Sequence, residues 1–187
     1  MNRYYKLLEL VKERQPKHLV EIGTWNGKRA TELMAVCDCY YTGFDLFEEA
    51  TRESDATEMN VKNHEDMVDV AKRIEMVGLN RFKLIRGNTR ETLPKWIESD
   101  EFQPFDFAFI DGGHSEETIR SDYEHIKNSM TEGLIVLDDW YEPAVEGFGC
   151  NFIKDGEVHS FSDGYIDGKG GKGKVSLLVV EVNNGSD

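Results

Sequence analysis

The chain has 187 residues, 39% hydrophobic and 31% charged, enough for one domain (residues 1–187) with a real core. Its net charge of −14 would repel a phosphate backbone or an anionic lipid surface, so neither nucleic acid nor a membrane is an expected partner. No apolar run approaches the roughly 18 residues of a membrane span, and the N-terminus carries no signal-peptide core. The three cysteines (Cys37, Cys39, Cys150) lack C-x-x-C spacing, which points to a reduced, cytoplasmic protein. Cys37 and Cys39 read as small buried residues at a helix end rather than as a metal pair.

From the start, Tyr4, Leu7, Leu8 and Val11 recur at helical spacing and predict a helix over 2–14, stopped before Pro16. Residues 18–22 follow as a strand, 23–27 (GTWNG) as a turn and 28–36 as a helix. A second strand over 40–44 ends at Asp45. Residues 46–62 are polar and without period and read as a loop. Asn63 then reads as an N-cap with Glu65 and Asp66 in the first turn. Met67, Val70, Ala71, Ile74 and Val77 form the buried stripe of that helix, and Gly78 its stop. A third strand covers 82–85, and a short helix with Pro94 inside it covers 89–97.

The central stretch is the most informative. The apolar run Phe107-Ala108-Phe109-Ile110 stops at Asp111. Ile119, Tyr123, Ile126 and Met130 then share one helical face, and the run Leu134-Ile135-Val136-Leu137 stops at Asp138-Asp139. Two continuous apolar runs flanking an amphipathic helix make a strand-helix-strand unit buried on both faces. Its strands are parallel, so Asp111, Asp138 and Asp139 emerge at one sheet edge, where open α/β sheets bind ligands. Beyond Trp140, residues 143–153 read as a helix, 157–161 as a strand, 162–174 as a glycine-rich loop and 175–182 as a last strand. The last two strands would pair antiparallel. Seven strands, the first five alternating with helices, make an α/β sandwich with a mainly parallel sheet.

The first turn narrows the ligand. Asp45 lies 22 residues after Gly23, a spacing that suits an acid holding two ribose hydroxyls. The dinucleotide fingerprint fails because Trp25 and Lys28 stand where it needs glycine. The P-loop fails because Gly23 to Gly27 is one residue short and Arg29 replaces the hydroxyl. What remains is E-x-G-x-x-x-G, with Glu21 placed to repel a pyrophosphate but to accept from an ammonium or lie near a sulfonium.

VEIGTWNGKRA with Asp45 resembles the first two motifs of the class I S-adenosylmethionine-dependent methyltransferases. DGGHSEETIRSD followed by EGLIVLDD resembles a subgroup of small O-methyltransferases acting on sugars or natural products. The resemblance covers residues 18–140. It implies a Rossmann-like three-layer sandwich with a seven-stranded, mainly parallel sheet and an antiparallel last strand. It also implies S-adenosyl-L-methionine as cofactor, held by Glu21, Gly23 and Gly27 at the methionine end, Asp45 at the ribose and Asn88 beside the adenine, with Thr24, Trp25 and Asp111 also binding it. Trp25 departs from the pattern, since many relatives have a third glycine there.

Asp111, Asp138 and Asp139 resemble the acidic set of the metal-dependent branch, a set suited to Mg²⁺. His114 stands where that branch carries its general base, and imidazole titrates near neutrality. The bland readings are a capping role for Asp138-Asp139, a loop-pinning role for His114 and a packing role for Asp122. The expected activity is Mg-assisted O-methylation of a small sugar or phenolic acceptor, with Asp111 and His114 as catalytic residues. A metal-independent methyltransferase using His114 alone, and a non-catalytic adenosine-binding or partner-binding domain, are the alternatives. A homodimer stays open.

Overall fold

The central strands carry apolar side chains on both faces, which forces helices onto both sides of the sheet. In the computed structural model, residues 3–60, 63–76, 81–160 and 173–185 are described. Seven strands form one sheet: β1 (His18–Ile22), β2 (Tyr40–Asp45), β3 (Phe82–Arg86), β4 (Phe107–Ile110), β5 (Glu132–Glu142), β6 (Glu157–His159) and β7 (Lys174–Asn183). Their order is β3-β2-β1-β4-β5-β7-β6. The first five are parallel, while β7 lies between β5 and β6 and is antiparallel to both. This is the expected sheet, and the order reverses at β1 and β4, where a crevice opens beyond the strand ends.

Strand alternation divides the core in two. Leu19, Phe107, Phe109, Leu134 and Val136 face α1 (Arg3–Arg14), α2 (Lys28–Met34) and α4 (Met67–Met76), meeting Leu7, Val11, Leu33, Val70 and Ile74. Val20, Ile22, Ala108, Ile110, Ile135 and Leu137 face α5 (Thr89–Ile97) and α6 (Glu116–Ser129), meeting Leu93, Trp96, Ile119, Tyr123 and Ile126. Among the described residues no helix is long and apolar enough to cross a membrane.

Five details differ from the sequence expectation. First, residues 46–62 are not all loop: a 3-10 turn (Phe47–Glu49) precedes α3 (Arg52–Thr57). The Thr51 and Ser54 side chains cap each other's backbone N–H there, but α3 buries no residue, so it leaves no apolar period to read. Second, α4 starts at Met67 rather than after Asn63. The Asp66 carbonyl accepts the first helical bonds, and the Glu48 carboxylate takes the Met67 N–H. Val77 and Gly78 lie outside the described residues, as do all but the last two residues of the 162–174 loop.

Third, residues 143–153 form turns, with Gly147 and Gly149 in the left-handed region at φ 75° and 82°. Fourth, β5 does not stop at Asp138-Asp139 but runs on to Glu142, paired with β7 across a bulge between Leu137 and Trp140. Fifth, Cys37 and Cys39, with Cα atoms 5.4 Å apart, are joined as a disulfide instead of standing as free thiols. Cys150 is free and buried.

The Phe109 side chain is fully buried at the centre of the α1/α2 layer. Phe109→Ala is expected to cost about 3–5 kcal/mol, read as a lower urea midpoint with an unchanged slope.

Candidate active site

Each strand end contributes one piece of the site. The Asp111 N–H continues the β4 ladder onto the Ile22 carbonyl (2.9 Å), which brings the turn after β4 alongside the glycine turn after β1. Gly23 has φ 92°, and a Cβ there would fall 2.1 Å from the Asp111 carbonyl oxygen, so only glycine fits. The Asp45 carboxylate receives the Trp25 N–H at 2.7 Å and the Phe47 N–H at 2.8 Å, tying the end of β2 to the same turn. Trp25 itself is left-handed (φ 48°), and its indole N–H donates to the Asn63 carbonyl at 2.6 Å.

These turns enclose a cavity of about 400 Å³, within the range of small-molecule sites. Of the residues expected to hold a cofactor, Gly23, Trp25, Asp45, Asn88 and Asp111 line it. Asn88 also caps α5 through the Arg90 N–H at 3.0 Å. Glu21, Thr24 and Gly27 do not line it. Gly27 serves packing, because a Cβ there would meet Val70 of α4 at 2.8 Å. Thr24 is buried, its hydroxyl 3.0 Å from that of Tyr41.

Glu21 is fully buried on the α1/α2 side, accepts the Tyr41 hydroxyl and keeps Oε1 without a hydrogen-bond partner. Burial pushes its carboxyl up to about 8, against the opposing Tyr41 hydrogen bond. Asp122 is likewise buried within α6, and burial pushes it up to about 7.

At the rim, Asp111, His114 and Asp139 each offer a ligating atom, all within 4.8 Å of one another. His114 Nε2 lies 3.6 Å from the Asp139 carboxylate. Its Nδ1 lies 2.7 Å from the Glu58 carbonyl, an acceptor that requires the proton on Nδ1. Asp139 sits at the bulge with φ 65°, its carboxylate accepting the Tyr141 hydroxyl at 2.7 Å.

Asp138 departs from the expected set. Its carboxylate is buried, pairs with Arg3 Nε at 2.9 Å and lies 3.2 Å from the Tyr4 hydroxyl. The same hydroxyl lies 3.3 Å from the Asp111 carboxylate, and the Arg29 guanidinium stacks 3.7 Å over the Tyr4 ring. The three aspartates are therefore split: His114 joins Asp111 and Asp139, while Asp138 anchors the first turn of α1. Sequence reasoning missed Arg3, Tyr4 and Glu58. Only the amphipathic period of α1 was visible, and it gives no sign of a partner more than a hundred residues away.

The sheet order, with β7 inserted antiparallel before the edge, defines a Rossmann-like methyltransferase fold. Residues 20–140 match the family described as "Methyltransferase domain", and the chain belongs to that family. No curated protein matches the chain by sequence.

Solved structures agree on the fold. The O-methyltransferase TomG from Streptomyces achromogenes, involved in tomaymycin synthesis and solved with S-adenosylmethionine, shares 16% identity at TM-score 0.66 over 96% of this chain and 79% of its own. An O-methyltransferase from Bacillus cereus, in complex with S-adenosylhomocysteine, shares 16% at TM-score 0.63, covering 96% and 80%. An rRNA methylase from Streptococcus thermophilus shares 13% at TM-score 0.61, covering 98% of both chains.

The Glu21 carboxyl titrates near 4.5 unfolded and near 8 folded, so its stabilising contribution is full below about pH 4.5 and is lost as the pH rises through 8. Thermal unfolding followed between about pH 5 and pH 9 should show Glu21→Gln losing less of its melting temperature than the parent chain.

Proposed function

We propose that the protein is an S-adenosylmethionine-dependent O-methyltransferase acting on a small hydroxylated acceptor, a sugar or a phenol, with a divalent cation such as Mg²⁺. The observation that carries this reading is the meeting of the Gly23–Asp45–Asn88 cavity with Asp111, His114 and Asp139 at its rim. The cavity size fits the cofactor, and Asp45 stands at the end of β2, where a ribose would lie. TomG and the Bacillus cereus enzyme, solved with the cofactor or its product, support the choice of cofactor. The net charge of −14 favours a small acceptor over the RNA of the rRNA methylases.

Bound in the cavity, the cofactor supplies a sulfonium methyl group for in-line transfer. The protein's part is to align the acceptor oxygen and remove its proton. With Nδ1 carrying hydrogen toward Glu58, His114 presents Nε2 as the proton acceptor. The Asp111 and Asp139 carboxylates would hold the cation, whose charge would acidify the acceptor hydroxyl. One observation favours a metal-independent variant: Arg3 already neutralises Asp138, leaving fewer carboxylates for a cation.

Calorimetry with S-adenosylhomocysteine tests the cofactor, and a panel of hydroxylated acceptors tests the reaction. Asp45→Ala is expected to weaken S-adenosylhomocysteine at least about tenfold. His114→Ala should lower transfer by about 10²–10⁴-fold while changing that affinity far less. Loss of transfer on chelation, restored by Mg²⁺, supports the cation; indifference to chelator supports the variant. Absence of binding with and without Mg²⁺ sinks the methyltransferase reading.

A further inference from the structure

The segment that covers the cavity has no fully buried side chain. Thr51, Ser54, Asp55 and Thr57, from α3 and its cap, form its outer wall, yet α3 buries no residue. It is held by polar contacts: Asp55 meets His64 Nε2 at 2.8 Å, and the C-cap residue Glu58 makes four more. Glu58 receives the Ser115 N–H at 2.7 Å on one carboxylate oxygen. On the other it receives the Ser115 hydroxyl at 2.9 Å and the Thr118 hydroxyl at 2.6 Å. Its carbonyl takes His114 Nδ1 at 2.7 Å.

Ser115 caps α6, so the Glu58 charge lies at a helix N-terminus, where the backbone dipoles favour it. The fit is close: a Cβ at Gly113 would fall 2.7 Å from Glu58 Oε2 and 2.8 Å from Thr118 Cγ2, so both side chains would have to give. Four polar groups of one short stretch thus converge on a single residue more than fifty positions earlier in the chain.

We propose that Glu58 is a positioning residue that couples the cover to the base: the same residue closes α3 over the cavity and fixes the His114 ring with Nε2 turned to Asp139. The carboxylate bonds fix where the Glu58 carbonyl lies, and the carbonyl selects the tautomer. When α3 is lifted, the imidazole loses its Nδ1 partner, so the base is in place only while the cavity is covered. This inference rests on His114 acting as the proton acceptor proposed above.

Nitrogen-15 spectra of histidine-labelled protein test it, recorded at a pH where the ring is neutral, with His114→Ala assigning the signal. The parent chain should show His114 protonated at Nδ1. Glu58→Ala should shift His114 to a mixture of tautomers and weaken S-adenosylhomocysteine roughly tenfold, with Glu58→Gln, which keeps one accepting oxygen, in between. An Nε2–H ring in the parent chain, or a Glu58→Ala protein unchanged in both readouts, overturns the proposal. Weaker binding with an unaltered His114 signal overturns it too, since the cover would then be independent of the base. If Glu58→Ala does not fold, the parent spectrum and Glu58→Gln decide. Failure of S-adenosylhomocysteine to bind the parent chain removes the cofactor reading, and the His114 response to Glu58→Ala then decides this one alone.

Discussion

Where β1 ends at Gly23 and β4 ends at Asp111, the two backbones run so close that a methyl group on Gly23 would fall 2.1 Å from the Asp111 carbonyl oxygen. The rest of the site depends on that approach. It sets the glycine turn, with Trp25 bound to Asp45, directly beside the loop that carries Asp111 and His114. The cavity and the cluster of Asp111, His114 and Asp139 are thereby brought together, without any long loop having to be ordered between them. Parallel strands make this economical, because their carboxyl ends all emerge on one side.

Charge is the second theme. Asp111, Asp138 and Asp139 crowd one rim, and such a group needs compensation. Part of it is built in. Arg3 pairs with Asp138, the Tyr4 hydroxyl lies between Asp138 and Asp111, and Arg29 covers the Tyr4 ring. The first turn of α1 is thereby drawn into the site. Burial raises the Tyr4 phenol well above its ordinary range, and the two neighbouring carboxylates push it the same way, so it stays protonated.

The sheet was legible because strands buried on both faces read as unbroken apolar runs; Phe107–Ile110 and Leu134–Leu137 are visible without any knowledge of neighbours. The meeting of strand-end acids at one rim followed from the parallel crossover, but which of Asp138 and Asp139 joins Asp111 did not. What stayed hidden shares one physical character. α3 shows no period because it buries nothing. Arg3 and Tyr4 reach Asp138 across some 135 residues, a pairing that no local pattern encodes. Glu21 and Gly27 fit a cofactor motif by spacing, yet one is sealed beneath Tyr41 and the other packs on Val70. Spacing places a residue near a site, but the face of its strand or helix decides what it touches.

The bulge in β5 reaches beyond the two acids it displaces. Ile135 and Leu137 face α5 and α6, and the inserted position makes Trp140, not Asp139, the next residue on that face. The same chain paired onto β7 without the bulge would set Asp139 opposite Ser176, and Trp140 and Tyr141 would exchange faces. The placement of Asp139 and the presence of Trp140 on the α5/α6 face are thus set by the same extra residue. A chain one residue shorter would keep Trp140 opposite Ser176 and lose only the bulge, and with it one of the two acids.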